Sequence, residues 1–184
     1  NTRSGSRRNI AAHYDLSNEF YALFLDDTMT YSCGIFPRPD ASLREASLEK
    51  YARICRKLEL SPGDHVVEVG GGWGGFALVA AGQYGCRVTT TTISEQQYQW
   101  ASARIREAGL TDRITLLKQD CRDLQGQFGK LVSIEMIEAV GHEYLPAYFT
   151  KCCRLLKPAG MMLLQAITIP DERYDAYRRS ADFI

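Results

Sequence analysis

No run of apolar residues in this chain reaches transmembrane length, and its start lacks the apolar core of a signal peptide. Net charge is missing as well. The 22 Lys and Arg residues cancel 22 Asp and Glu, so no global field draws nucleic acid as a partner. Six cysteines (33, 55, 86, 121, 152 and 153) include no C-x-x-C pair and no Cys/His ligand spacing, which argues against a metal site and against a disulfide framework. Free thiols imply a reducing, cytoplasmic compartment. There is no internal repeat and no low-complexity segment.

What is present is an ordinary globular composition, 45% hydrophobic and 24% charged, in 184 residues: enough for one full α/β domain with a buried core. Local charge is less even than the total. Arg3, Arg7 and Arg8 cluster near the start, and Arg173, Arg178 and Arg179 near the end. Each cluster alone reads as solvated surface; together they suit an anionic lipid surface. The chain begins at Asn1 without methionine and stops at Ile184 just past a helix-like stretch, which reads as a fragment of a longer protein.

Residues 10–25 (IAAHYDLSNEFYALFL) read as a helical, aromatic-rich front segment, followed by the turn-prone DDTMTYSCGIFPRPD. Helical periodicity over 43–60 ends at Pro62-Gly63. Strands are expected at 65–70, 87–93, 114–120, 130–137 and 160–167, with helices from the glycine loop to Tyr84, from Ser94 to about Ala108, and over 143–156. Ser94 with Gln97 three residues on makes a capping box. Five strands alternating with helices predict a Rossmann-like, doubly wound parallel sheet covered on both faces. Ligands of such sheets lie beyond the carboxyl ends of the strands. That rim carries the glycine loop, Thr92 to Gln97, Asp120 to Asp123, Glu135 to Gly141, and Gln165.

The loop VVEVGGGWGG, residues 66–75, can be spelt two ways. Gly70, Gly72 and Gly75 give G-x-G-x-x-G, the dinucleotide fingerprint; Glu68, Gly70, Gly72 and Gly74 give E-x-G-x-G-x-G. A dinucleotide site wants an acid at the tip of the second strand for the ribose, and TTTTIS has none. Thr92, Ser94 and Gln97 offer only neutral hydrogen bonds there. Glu68 is welcome beside S-adenosylmethionine (SAM), a sulfonium with no phosphate, where a pyrophosphate would be repelled. The glycines then serve close backbone approach rather than phosphate capture.

With these residues in place, HYDLSNEFYALFLDDTMTYSCGIF, EVGGGWGGFA, TTTTISEQQ, LVSIEMIEAVG and LKPAGMMLLQAIT together resemble the cyclopropane-fatty-acid synthase family, from about Ile10 to Ile169 and in the family's order. The TMTYSC motif is far more specific than the loop, which all class I SAM-dependent methyltransferases share. The resemblance implies that fold, with residues 1–60 as an N-terminal helical cap covering the cofactor and 61–184 as a SAM-binding core truncated at its C-terminus. It implies transfer of a methylene or methyl group to the double bond of unsaturated phospholipid acyl chains, with bicarbonate as a bound base. The enzyme would be cytoplasmic and peripheral to the membrane, with no nucleic-acid partner and a homodimer left open. An alkene attacks the sulfonium methyl without prior deprotonation, and the chain offers no Ser/His/Asp set. What the reaction needs is a dry apolar tunnel, alignment and stabilisation of positive charge, to which aromatic faces contribute.

By motif position, Tyr31 and Ser32 resemble the family's cofactor contacts from the front segment, Gly70 and Gly72 its loop glycines, Thr92 and Gln97 its ribose-end contacts, and Cys121 and Arg122 its adenine-side contacts. An aromatic is more usual where Cys121 stands. Cys33, Ile134, Glu138 and Ile167 match positions around the bicarbonate, Glu135 being a rival to Glu138; Tyr14 is singled out among the front aromatics for catalysis. The best-known members carry histidine where this chain has Gln165, which hydrogen-bonds an anion but does not titrate near neutrality. The family's later tyrosine would fall beyond Ile184. Gln165 therefore keeps alive a methyl-branched or other non-cyclopropane acyl product, and a non-catalytic SAM- or lipid-binding homologue is a further alternative.

Overall fold

The computed structural model describes Gly5 and residues 17–179. Five strands, β1 (His65–Val69), β2 (Arg87–Thr92), β3 (Ile114–Lys118), β4 (Phe128–Ile134) and β5 (Leu156–Gln165), form one parallel sheet in the order β3-β2-β1-β4-β5. The helices are α1 (Asn18–Ala22), α2 (Leu43–Lys57), α3 (Gly75–Tyr84), α4 (Glu95–Glu107), α5 (Leu145–Leu155) and α6 (Asp171–Tyr177).

Alternation along β1 explains why both faces must be covered. Val66 joins a core with Tyr51, Ile54, Phe76, Ala80 and Ile105, whereas Val67 and Val69 join a second core with Leu131, Tyr148, Cys152 and Leu155 on the other face. Helices α2, α3 and α4 cover the first face and α5 the second. Each fully buried valine contributes about 1.5–3 kcal/mol relative to an exposed one. Among the described residues no helix is long and apolar enough to cross a membrane.

The element boundaries differ from the expected ones for identifiable reasons. Helix α2 stops at Lys57 rather than Leu60 because Glu59 takes φ +53° and the Leu60 N–H returns to the Cys55 carbonyl, a left-handed C-terminal turn. Strand β4 ends at Ile134 because Glu135 sits at φ +45°. Strand β5 starts four residues early and absorbs Lys157-Pro158-Ala159-Gly160 as a bulge, with register jumping from Phe128↔Leu156 to Lys130↔Met161. At α5 a 3-10 turn, His142–Tyr144, replaces the expected first helical turn. Ser94 caps α4 by accepting from the Gln97 N–H at 3.3 Å, but the Gln97 side chain turns to Thr92 instead of completing the box.

Candidate active site

The strand order reverses at β1, so the loop after Val69 lies at the switch point beside the end of β4. Gly70, Gly72 and Gly74 all take positive φ, and Gly74 caps α3 in the left-handed conformation. Gly70 is required twice over: φ is +82°, and a Cβ would stand 2.8 Å from the Met136 Cγ. At Gly71 a Cβ would overlap Thr90 Oγ1 and meet Glu68 Oε2 at 2.9 Å. Glu68 therefore lies directly beneath the loop. It is 2% exposed, accepts a hydrogen bond from Thr90 Oγ1 at 2.6 Å, and burial pushes its carboxyl up to about 7.

Two further strand tips add polar groups to the rim. Thr92 Oγ1 donates to Gln97 Oε1 at 2.7 Å and accepts from the Ser94 N–H at 3.2 Å, so the buried Thr92 and Gln97 form a neutral bracket after β2. Beyond β3, buried Asp120 holds Arg122 through its Nε at 2.9 Å and Nη2 at 2.6 Å, and also accepts from the Arg122 N–H at 2.9 Å. Arg122 is thus tied back to its own loop. Burial pushes the half-buried Cys121 thiol up to about 11, leaving it neutral at physiological pH.

The front segment closes over this rim through several separate contacts. Trp73 of the glycine loop donates to Asn18 Oδ1 at 2.7 Å, and its ring packs 4.9 Å from Tyr21. A buried chain of hydroxyls, Thr28 to Thr30 at 2.7 Å and Thr30 to Tyr51 at 2.8 Å, pins the segment to α2. Lys50 Nζ donates to Ser32 Oγ at 2.5 Å. Tyr31 is 43% exposed and meets Tyr21 edge-on at 5.4 Å.

Cys33, Glu135 and Gln165 converge. The Cys33 N–H donates to Glu135 Oε1 at 3.0 Å; Gln165 Nε2 donates to the same oxygen at 2.7 Å and to the Cys33 carbonyl at 3.2 Å. Glu138 stands beside this junction, one oxygen accepting from the Ile167 N–H at 2.7 Å. Its Oε2 is buried and has no hydrogen-bond partner among the described residues. Motif register singles out Glu138, and the structure gives both acids distinct partners: Glu135 joins Cys33 to Gln165, whereas Glu138 holds the end of β5. Ile134 closes β4 next to them. Tyr14 lies outside the described residues. Asp120 falls on the rim expected from strand position, without a role of its own there; Lys50 is not expected, because a lysine inside a periodic helix carries no such signal.

Do these residues fit a sulfonium cofactor? The loop presents backbone that only glycine permits, a carboxyl lies under it, and neither the loop nor the β2 tip supplies a cation suited to a pyrophosphate. They fit. A parallel sheet in this order, with this loop at its switch point, defines the class I SAM-dependent methyltransferase fold. The family model for mycolic acid cyclopropane synthetase matches residues 1–184, and the chain belongs to that family. It is 40% identical over 190 residues to tuberculostearic acid methyltransferase UfaA1 of Mycobacterium tuberculosis, covering 100% of this chain and 44% of that protein. It is 42% identical over 155 residues to cyclopropane-fatty-acyl-phospholipid synthase of Escherichia coli strain K12, covering 84% of this chain and 39% of that protein. Among solved structures, the cyclopropane synthase MmaA2 from M. tuberculosis superposes with TM-score 0.86 at 31% identity, over 96% of this chain and 62% of that one. Mycolic acid cyclopropane synthase CmaA1, complexed with SAH and CTAB, gives 0.82 at 36% identity, over 86% and 55%. The chain thus spans less than half the length of these two curated relatives.

Proposed function

We propose that the protein transfers a methylene or methyl group from SAM to the double bond of an unsaturated fatty acyl chain carried on phospholipid. The observation that carries this reading is the rim centre itself. Cys33, Glu135 and Gln165 are joined through one carboxylate oxygen, with Glu138 bonded to the Ile167 N–H just past β5, and together they offer hydrogen-bond acceptors and donors rather than a base-activated nucleophile. An alkene needs no such activation.

SAM, when bound, supplies an electrophilic methyl. In this reading the Gly70–Gly74 loop gives it backbone contact and Thr92 with Gln97 offers neutral hydrogen bonds at the ribose end. Glu68 lends negative charge from below as it ionises. Tyr31 and Ser32 approach from the front segment, and Cys121 with Arg122 from the far side. Exposed Phe20, Phe24 and Tyr31 offer aromatic faces to an acyl chain and to positive charge developing on it. Glu138 Oε2, a carboxylate oxygen able only to accept, suits the O–H of a bound bicarbonate. Bicarbonate, when bound, would supply the base for the proton lost. Exposed Leu23, next to Phe24 in the chain, and exposed Phe36 support contact with a lipid surface.

A second reading has the same transfer ending in an acyclic product. Gln165 favours it, since an amide already donating to Glu135 and Cys33 does not exchange protons near neutrality. The test uses full-length protein, methyl-labelled SAM and vesicles of monounsaturated phospholipid. Label entering the acyl chain with loss of the alkene and appearance of ring protons by NMR establishes cyclopropanation; label with an alkene or methyl branch retained establishes the second reading. SAM binding with no label in lipid overturns both.

A further inference from the structure

The described residues hold one lysine that solvent does not reach. Lys50 lies in the middle of α2 at 0% exposure, on the face that also carries Ala46, Ser47, Tyr51 and Ile54. Lysine is almost never fully buried unless paired. Its Nζ donates to Ser32 Oγ at 2.5 Å and stands 4.9 Å from the Tyr51 ring centroid. The charged or ionisable groups acting on it come from three other places. Glu135 follows β4, Cys33 lies in the front segment, and Asp26 follows α1; all three favour its protonated form, Glu135 most.

We propose that Lys50 is a positioning residue for methyl transfer: from beneath the rim its ammonium holds Ser32 in place and supplies the counter-charge to the Glu135 carboxylate, which in turn gathers Cys33 and Gln165. The neighbouring bonds make this a chain of contacts. Lys50 fixes Ser32; the next residue, Cys33, gives its N–H to Glu135; Glu135 also takes the Gln165 amide. Glu135 holds its place at φ +45°, a conformation a non-glycine residue keeps only when its surroundings impose it. Two bonds to one carboxylate oxygen and a nearby cation are such surroundings. Loss of the Lys50 charge would loosen Ser32 directly and Cys33 through Glu135, while Thr30 keeps its bond to Tyr51.

Burial brings the Lys50 ammonium down to about 8, so it loses its proton within an accessible pH range. This inference rests on the methyl-transfer reading, and the test separates the two. In full-length protein labelled with 13Cε-lysine, the Lys50 signal is identified by its absence from K50M and K50R. It is expected to titrate near 8, and E135Q should lower that value by removing the nearby negative charge. A Lys50 signal titrating near 10.5, or one indifferent to E135Q, overturns the proposal whatever the enzyme does to lipid. In the transfer assay, wild-type kcat/KM should fall as pH rises through the Lys50 titration. K50M should lose at least tenfold at neutral pH, and K50R should recover part of that loss without the alkaline fall. An alkaline limb that survives unchanged in K50R assigns it to another group and overturns the proposal. Absence of any lipid product in wild type defeats the methyl-transfer reading alone, because the NMR titrations still decide the coupling.

Discussion

Replacing Glu68 with glutamine should stabilise the apo protein in alkaline solution while weakening its hold on a cationic cofactor. Glu68 is 2% exposed, and burial raises its carboxyl from 4.5 to about 7, with the Thr90 hydrogen bond opposing the rise only in part. A carboxyl whose folded-state value lies above its unfolded one favours folding in its protonated form. That contribution is fully present below 4.5 and is lost as pH rises through about 7. The difference between the two values corresponds to about 3 kcal/mol once the group is ionised. Glutamine keeps the shape, lets a carbonyl oxygen accept from Thr90, and has no proton to lose, so the difference between the two proteins isolates Glu68. Urea unfolding should show near-equal stability at about pH 4 and an advantage to E68Q approaching about 3 kcal/mol by about pH 8.5, or roughly 6–12 °C in Tm. Calorimetry should show SAM affinity of wild type rising over the same pH window as the carboxylate forms, and a flat profile for E68Q. Stability curves that run parallel from acid to alkaline pH would refute the reasoning, since they would mean Glu68 is not forced to ionise in a desolvated place.

Three other substitutions test neighbouring contacts. Gly71→Ala forces a Cβ into Thr90 Oγ1 and against Glu68 Oε2; it should destabilise by about 1–3 kcal/mol in urea and abolish SAM binding by calorimetry. Tyr51→Phe removes the hydroxyl that meets Thr30 in a buried chain, with an expected loss of about 1 kcal/mol and faster hydrogen exchange at residues 28–33. Glu138→Gln should leave thermal unfolding nearly unchanged, because one oxygen still accepts from the Ile167 N–H. It should lower methyl transfer at least tenfold and remove any dependence of the rate on added bicarbonate; full activity in that variant would rule out an acceptor role for Glu138 Oε2.

Much of the sheet is legible from pattern because its causes are local. Val66-Val67 alternation, the β-branched TTTT of β2 and the glycine loop each force a strand or a turn without help from distant residues. The misread ends have tertiary causes instead. Pro158 looks like the end of a connection, yet β5 runs through it because a bulge takes three extra residues of β5 out of the ladder with β4 between Leu156 and Met161. Of the site, the loop, Thr92 and Gln97 are readable because position relative to a strand end fixes them. Glu135 and Glu138 are harder to rank, being three residues apart after the same strand. Only the left-handed turn at Glu135 brings its carboxylate to Cys33 and Gln165. Lys50 is invisible to pattern: charge in a helix normally marks the wet face, and it is the front segment folding across α2 that turns this position inward.

The two buried charges share a logic that an apolar core would not produce. Glu68 beneath the loop and Lys50 beneath the TYSC segment are each held against their preferred protonation, the acid driven up and the ammonium driven down by the same cause. A valine or leucine at either place would remove that penalty. Retaining them makes sense where a cationic ligand must be drawn to the loop and an acidic junction must be held beside it. The acid lies at the glycine loop, where a sulfonium would profit from it, and the base lies at the Glu135 junction, where a carboxylate needs a counter-ion. Exchanging the two charges (E68K together with K50E) conserves net charge and the number of buried ions. Such a variant should still lose SAM binding, because each charge would then face a partner of its own sign or none, and retained binding would reduce both residues to interchangeable core packing.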